Sequence, residues 1–411
     1  MKFEELYYNV LAESIKTGKS PEIKSEYDKK HIECLLHPEE YPVVIHVGEC
    51  TCDEDENGEC FVHCIFDAIS KNEDGEIIID KDKCTGCGAC IEHCKANNII
   101  ASKDTLPALY SIQKSKGPVY ALIAPAFIGQ FSDEVTPGKL RTAFKKIGFD
   151  GMLEVALFAD ILTLKEALEF DKNIVTDNDY QLTSCCCPLW IAMIRRIYNE
   201  LIPHVPGSVS PMIASGRTVK HIHPDSTTIF IGPCVAKKAE AREKDICDAI
   251  DHVLTFQEMK DIFDFARINP AKCEESQKDH SSKAGIIYAR SGGVSEAVKG
   301  TLEKINPNRE ISIRTEQADG VPQCRALIKK IQAGEIDANF YEGMGCVGGC
   351  VGGPKIMIDR EEGRVNVNEY GEKASYETPI DNPYVIELLD RLGFDTIESL
   401  LEDSKIFTRY F

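Results

Sequence analysis

The sequence predicts an α/β protein whose large domain is preceded by a small, cysteine-rich α+β domain, and three observations lead there. The chain has 411 residues, more than one ordinary domain of roughly 100–200 residues accommodates, so more than one core is expected. From about residue 118, apolar runs that end in Gly, Pro or Cys turns (VYALIAPAF, GMLEVALF, TTIFIGPC and AGIIYARSGG) alternate with helical stretches, the pattern of strands and helices in an α/β sheet. Upstream, short β-like runs (YPVVIHV, GEIIID) alternate with cysteine-rich turns and a short helical pattern, a domain so small that metal must supply much of its stability.

Residues 1–45 carry Phe3, Leu6, Tyr7, Val10 and Leu11 at helical spacing before a charged stretch and read as a helical N-terminal extension with no assigned chemistry. The expected organisation is therefore 1–45, the extension; 46–105, the cysteine-rich domain; and 106–411, the large domain. In such sheets ligands collect at the C-terminal ends of strands, where several of the residues singled out below fall. No repeat is visible beyond the two cysteine groups of the small domain, and no low-complexity linker.

A formal net charge of -20 and a pI near 5 argue against phosphate-rich partners, because nucleic-acid binders carry clustered Lys and Arg. No segment approaches the roughly 18 uninterrupted apolar residues of a membrane span. The start, MKFEELYYNVLAESIK, has acidic residues where a signal peptide has a basic region and an apolar core. A soluble cytoplasmic protein is expected, with neither a nucleic-acid nor a membrane partner. In such a chain 18 cysteines point to metal ligation rather than disulfides. Eight fall between Cys50 and Cys94, six lie at 185–187, 234 and 346–350, and Cys34, Cys247, Cys273 and Cys324 are scattered; these last read as small buried hydrophobes.

The run Cys84-Thr-Gly-Cys87-Gly-Ala-Cys90-Ile-Glu-His-Cys94 has the spacing in which three thiolates grip one 4Fe-4S cluster and the fourth reaches another. Gly86, Gly88 and Ala89 let the backbone wrap a bulky inorganic cube. Lys95 replaces the usual proline without touching a ligand. Upstream, Cys50-x-Cys52-x7-Cys60-x3-Cys64 ends in the same C-x3-C. Crosswise ligation by Cys84, Cys87, Cys90 with Cys64, and by Cys50, Cys52, Cys60 with Cys94, is expected; the stretched spacing of the upstream group also admits a different cluster type. Clusters of this sort carry single electrons, so the segment reads as a wire whose terminus lies elsewhere in the chain.

Three further motifs stand out: Thr183-Ser-Cys-Cys-Cys-Pro-Leu-Trp190, Gly232-Pro-Cys-Val-Ala-Lys-Lys-Ala-Glu240 and Glu342-Gly-Met-Gly-Cys-Val-Gly-Gly-Cys-Val-Gly-Gly-Pro354. Together they resemble the three active-site signatures of the FeFe-hydrogenases, in the same order. Ala124-Pro125 and Gly292-Gly293-Val294-x-Glu296-Ala297 are also similar to that family, and the resemblance covers roughly residues 46–355. The triple cysteine of the first motif resembles the branch called group B.

The resemblance implies an H-domain of two lobes of mixed sheet covered by helices, preceded by a two-cluster ferredoxin-like domain. It implies an H-cluster: a 4Fe-4S cube joined through one cysteine sulfur to a diiron unit carrying CO, cyanide and a bridging dithiolate. By motif position the cube's ligands would be Cys187, Cys234, Cys346 and Cys350, with Cys350 as the bridge; soft thiolates suit such iron. Lys237 would give a charged hydrogen bond to a cyanide, Met344 would pack against the bridging CO, and Pro125 and Pro233 would line the cavity. The proton path would run through Cys186, Glu166, Glu169 and Ser210; the two glutamates lie one turn apart on one helix face. Counted from Ser184 instead, Cys186 would be the ligand and Cys185 the relay. Gly232 and Ala126 stand where the family commonly has methionine and serine, so each would remove a contact to the diiron unit.

The implied activity is that of a ferredoxin hydrogenase, the reversible interconversion of protons, electrons and H2, with maturation proteins installing the diiron unit. An acidic ferredoxin would need basic side chains near residues 20–30 or 81–95 for docking. Hydrogen sensors and iron–sulfur scaffolds of the same fold are the alternatives.

Overall fold

The computed structural model describes all residues except 51–58, 74, 184–185, 277–279 and 336. Cys52 and Cys185 lie outside the described residues. In the small domain β1 (Val44–His46) pairs antiparallel with β4 (Ile99–Ala101), and β2 (Ile69–Lys71) with β3 (Ile77–Ile79). One-turn helices Glu59–Val62 and Ala89–Glu92 carry Cys60 and Cys90. The apolar cluster here is small and includes these two cysteines, with Cys84 and Cys94 packed against it, so thiols occupy positions that aliphatic side chains fill in a larger core.

The large domain holds two sheets. β5 (Val119–Ile123), β6 (Gly151–Glu154), β8 (Thr227–Gly232) and β9 (His252–Thr255) run parallel in the order β6-β5-β8-β9. β7 (Gln181–Leu182), β10 (Thr315–Asp319) and β11 (Phe340–Met344) run parallel in the order β10-β11-β7. The strands β5, β8 and β11 are near-continuous apolar or small-residue runs and are almost wholly buried, as strands covered on both faces must be. Helix Ala156–Asn173 is buried along most of its length, which marks an interior helix. Its buried polar residues, Asp160, Lys165 and Glu166, therefore need partners inside the protein.

The segment AGIIYARSGG departs from the strand expected for it. It forms a short helix, Lys283–Ile286, and a 3-10 turn, Ile287–Ala289. The Asp160 carboxylate accepts from the backbone N–H groups of Ser282 (2.7 Å) and Gly285 (2.8 Å), so a helix start is held against the interior helix. A side chain at Gly285 would meet Ala156 O at 2.1 Å. Tertiary anchoring thus overrides a β-like apolar run. Of the scattered cysteines, Cys34, Cys273 and Cys324 are buried, but Cys247 is exposed.

The N-terminal helix Phe3–Thr17 packs Phe3, Leu6, Tyr7, Val10 and Leu11 into the same core as β5 and β8. The Tyr7 hydroxyl meets Thr105 Oγ1 at 3.1 Å and donates to Asp261 at 3.0 Å. A buried ionic network ties the exit of the small domain to the large one: Lys238 Nζ donates to Ser102 O (2.8 Å), Glu258 Oε1 (3.0 Å) and Asp104 Oδ1 (3.3 Å). Glu258 also accepts from Asp104 N and, in a capping box, from Thr255 N. Removing the cation would leave the buried Glu258 carboxylate without its ammonium partner, while Asp104 keeps Arg242 at 3.3 Å. Lys238→Met, which keeps the methylene packing, is expected to cost roughly 3–5 kcal/mol in urea unfolding; a loss below about 1 kcal/mol would show the network to be effectively solvated.

Candidate metal centre

The metal-binding candidates converge because three strand ends do. Cys234 follows β8, Cys346 and Cys350 follow β11, and Cys187 follows β7 as the N-cap of helix Pro188–Arg196. Both sheets thus contribute thiols to one place. Burial, with Cys187 next to it, pushes the Cys234 thiol up to about 11. Burial together with Cys234 and Cys187 pushes Cys350 up to about 12, and Cys346 well above the ordinary thiol range. Gly345 N donates to Cys187 Sγ at 3.2 Å. Thiols whose ionisation is opposed by burial and by neighbouring thiols require a cation to become thiolates, and iron in a sulfide cluster suits soft donors. Among the described residues no three His, Cys, Asp or Glu side chains close on a point as ligands of a single metal ion would.

The loop after β11 has room for no side chains where it doubles back. Gly349 has φ +86° and a Cβ there would lie 2.8 Å from Met344 Sδ, while one on Gly352 would strike Val347 O at 1.9 Å. Met344 is buried, its carbonyl accepting from Gly320 N at 2.8 Å. Pro233 is buried and packs near Gly353, and Pro125 is half-buried at the end of β5. The space beside Gly232 is already filled: a Cβ would meet the Phe230 ring at 2.7 Å and Ala124 Cβ at 3.0 Å.

Glu342 was legible only as the first residue of its motif, yet it organises the site. Its buried carboxylate accepts from Gly292 N (2.8 Å), Ser295 N (2.8 Å) and Ser295 Oγ (2.7 Å), and so fastens the Gly292-Gly293 turn and the start of helix Gly293–Ile305 to β11. Lys237, expected to point at a cyanide, is instead ion-paired with Glu240 at 2.6 Å, both side chains buried. Burial alone would lower its ammonium; Glu240, Cys234 and Cys350 outweigh that and hold it above the ordinary lysine range.

On the side facing helix Ala156–Asn173, Cys186 packs with Met344 and Tyr288. Burial, Cys187, Glu342 and Glu166 all push its thiol up. Glu166 is buried. Glu169, one turn on, bonds Lys165 at 2.8 Å and receives a long contact from the Ser208 hydroxyl at 3.5 Å. Ser210, expected to complete this path, caps helix Pro211–Ile222, its hydroxyl accepting from Ile213 N. The serine facing Glu169 is Ser208, two residues before Ser210.

In the small domain, burial lifts Cys84 to about 11 and also raises Cys87 and Cys90, with Cys64 among the neighbours that oppose each ionisation. These four thiols thus share one pocket. Cys50 is exposed and Cys94 half-buried. The loop holding them docks directly on the large domain's second motif: a Cβ at Gly86, φ +71°, would come within 3.0 Å of Val235 O and Ala236 Cα. Cys87 is close enough to Cys346 to raise its thiol. The two thiol groups therefore adjoin.

Residues 117–354 match the family described as iron only hydrogenase large subunit, C-terminal domain, and residues 77–100 match the 4Fe-4S binding domain. The chain belongs to the iron-only hydrogenase large-subunit family. It is 30% identical over 275 residues to iron hydrogenase 1 of Clostridium pasteurianum, a match spanning 57% of this chain and 48%, about half, of that enzyme's length. It is 26% identical over 362 residues to the periplasmic Fe hydrogenase large subunit of Nitratidesulfovibrio vulgaris, covering 68% and 86% of the two chains. A cytosolic Fe-S cluster assembly factor of Dictyostelium discoideum is 24% identical over 349 residues, 60% of this chain and 66% of that protein. A variant of FeFe-hydrogenase HydA1 from Chlamydomonas reinhardtii superposes with a TM-score of 0.61 at 23% identity, covering 75% of this chain and 98% of that one. The fold is that of the FeFe-hydrogenase H-domain preceded by a ferredoxin-like region. No helix among the described residues is long and apolar enough to cross a membrane.

If Glu342 fastens the site, Glu342→Ala leaves two buried N–H groups and a hydroxyl unpaired. It should lower stability by about 2–4 kcal/mol in denaturant unfolding and reduce the iron retained after anaerobic loading; unchanged values would mean that the turn is held by other contacts.

Proposed function

We propose that this chain is an FeFe-hydrogenase that interconverts protons and H2 at an H-cluster. Cys187, Cys234, Cys346 and Cys350 would hold its cube, with Cys350 as the bridge to the diiron unit. The observation that carries this reading is the two-sided approach to the thiol group. Glu166 of helix Ala156–Asn173 and Cys186, next to Cys187, approach it from one side, and Cys87 adjoins it from the small domain. One side suits protons, the other electrons.

When bound, the diiron unit supplies the open metal position and the bridging base at which hydrogen is made or split. The protein's part is to hold, orient and exclude. Cys186, whose thiol stays protonated in this buried setting, hands a proton toward the centre and recovers one from Glu166. Glu166 in turn exchanges with Glu169, which borders solvent, and Ser208 takes the place in this relay that motif position assigns to Ser210. Lys237, steadied by Glu240, presents positive charge beside Cys234 and Cys350. Met344, Pro125 and Pro233 supply apolar walls. Electrons would pass through a 4Fe-4S cluster held by Cys84, Cys87, Cys90 and Cys64 and a second held by Cys50, Cys52, Cys60 and Cys94. Residues 46–105 form that relay domain and 106–411 the catalytic one, with 1–45 packed onto it.

An acidic ferredoxin is the expected carrier. A cleft of about 480 Å³ beside Cys84 is lined by Lys81, Arg195, Arg196, Arg242 and Lys244 but also by Glu39, Asp82, Glu240, Glu243 and Asp245, so its charge is balanced and does not by itself select an acidic carrier. The similarity to an Fe-S cluster assembly factor favours one other reading, a scaffold that carries cubes but no diiron unit.

Anaerobic loading with iron, sulfide and a synthetic diiron precursor separates the two. The hydrogenase reading predicts infrared bands of bound CO and cyanide together with hydrogen turnover; a cube-loaded protein with neither would contradict it and leave the scaffold. Cys186→Ser should then lose turnover by about 10²–10⁴-fold at unchanged iron content, whereas Cys187→Ser should lose the iron of the cube itself.

A further inference from the structure

We infer that Lys165 is a positioning residue for proton transfer: its buried ammonium holds Glu169 as an ionised, oriented carboxylate at the outer end of the relay. The inference rests on the hydrogenase reading. In sequence, Lys165 and Glu169 are an i, i+4 pair of the kind that normally lies on a solvated helix face. Here the Lys165 side chain is 3% exposed and that of Glu169 13%.

Lys165 Nζ makes three contacts, to Glu169 Oε1 (2.8 Å), Ser208 Oγ (2.9 Å) and Gly207 O (3.2 Å). An ammonium has three protons to donate, so all are engaged and the side chain is fixed. The Ser208 hydroxyl accepts from Lys165 and faces Glu169 Oε2. The carboxylate is thereby gripped at both oxygens, by a cation on one and a hydroxyl on the other. The charged groups facing it are Lys165 and, farther off, Lys172 of the same helix. From the segment ahead of helix Pro211–Ile222 it is met by the uncharged Ser208. Burial is the strongest influence on Glu169 and leaves its carboxyl above the ordinary range; Lys165, Ser208 and Lys172 act against burial and limit that rise.

The consequence is directional. During hydrogen uptake a proton leaves the Glu166 carboxyl and is accepted by the Glu169 carboxylate, which then releases it to water. Lys165 keeps its own protons throughout. A neutral Glu169 could not accept that proton, so losing the cation should impair uptake most at low pH.

Lys165→Met keeps the length of the side chain and removes its charge; Lys165→Arg keeps the charge. Two readouts apply. The first is the pH profile of dye-linked hydrogen uptake in the loaded enzyme. The second is the infrared carboxyl band of Glu169, isolated by difference against Glu169→Gln, titrated in the protein before the diiron unit is added. For Lys165→Met the acid limb of the profile and the carboxyl titration should both move to higher pH. Neutral-pH uptake should fall by about tenfold or more, and Lys165→Arg should restore the wild-type position. Should Lys165→Met not fold, Lys165→Gln retains a donor for Gly207 O without the charge and reads the same shift. A folded, iron-loaded neutral variant with an unmoved profile and an unmoved carboxyl band would overturn the proposal. If the loaded wild type shows no hydrogen turnover, the hydrogenase reading fails, while the carboxyl band still reports whether Lys165 keeps Glu169 ionised.

Discussion

The structure depends on four half-buried thiols meeting at the ends of strands from two different sheets. Cys187, Cys234, Cys346 and Cys350 gather where β7, β8 and β11 finish, and Cys234, Cys346 and Cys350 resist ionisation because of burial and because of the neighbouring thiols. Nothing in the protein alone turns that set into ligands. Metal loading must supply the charge, so binding and consolidation of the two lobes are thermodynamically one process. The small domain shows the same arrangement on a reduced scale, with thiols standing in its apolar cluster.

Around this centre the interior is ionic to a degree that would be ruinous without pairing. Several of these buried charges have an opposite charge or a set of donors. Lys238 sits among Ser102 O, Asp104 and Glu258. Lys237 faces Glu240, Lys165 faces Glu169, and Glu342 collects the donors of the Gly292–Ser295 turn. Asp160 collects donors from Ser282, Gly285 and Asn382. These contacts do what a hydrophobic core does elsewhere: they fix loops that carry ligands. They also place ionisable groups along helix Ala156–Asn173, the one element that spans from solvent-bordering Glu169 to the vicinity of Cys186.

Much of this was readable from residue order. Cysteine spacing is a short-range constraint imposed by a cluster's size, so the small-domain group and the three motifs announced themselves, as did the strands that end in them. What stayed hidden was set by tertiary contacts. The run at 284–293 reads as a strand by composition, and only the Asp160 carboxylate turns it into a helix start. Ser208 and Ser210 are indistinguishable until the loop's path is known. Lys165 looks like half of a solvated pair because i, i+4 spacing says nothing of depth. Glu240 lies in plain view three residues after Lys237, but no pattern says that the two side chains are buried together. Cys247 shows the converse: composition assigns a cysteine to the interior, while its position just ahead of β9 leaves it exposed.

The central claim is that the thiol group of the large domain holds a cube directly beside the one held by Cys84, Cys87, Cys90 and Cys64. Electron paramagnetic resonance of the full chain, loaded anaerobically with iron and sulfide and then reduced, tests it most directly. Adjacent reduced cubes should give a spin-coupled spectrum that simplifies when Cys346→Ser removes one partner. Signals from isolated, non-interacting clusters, unaltered by that substitution, would contradict the account.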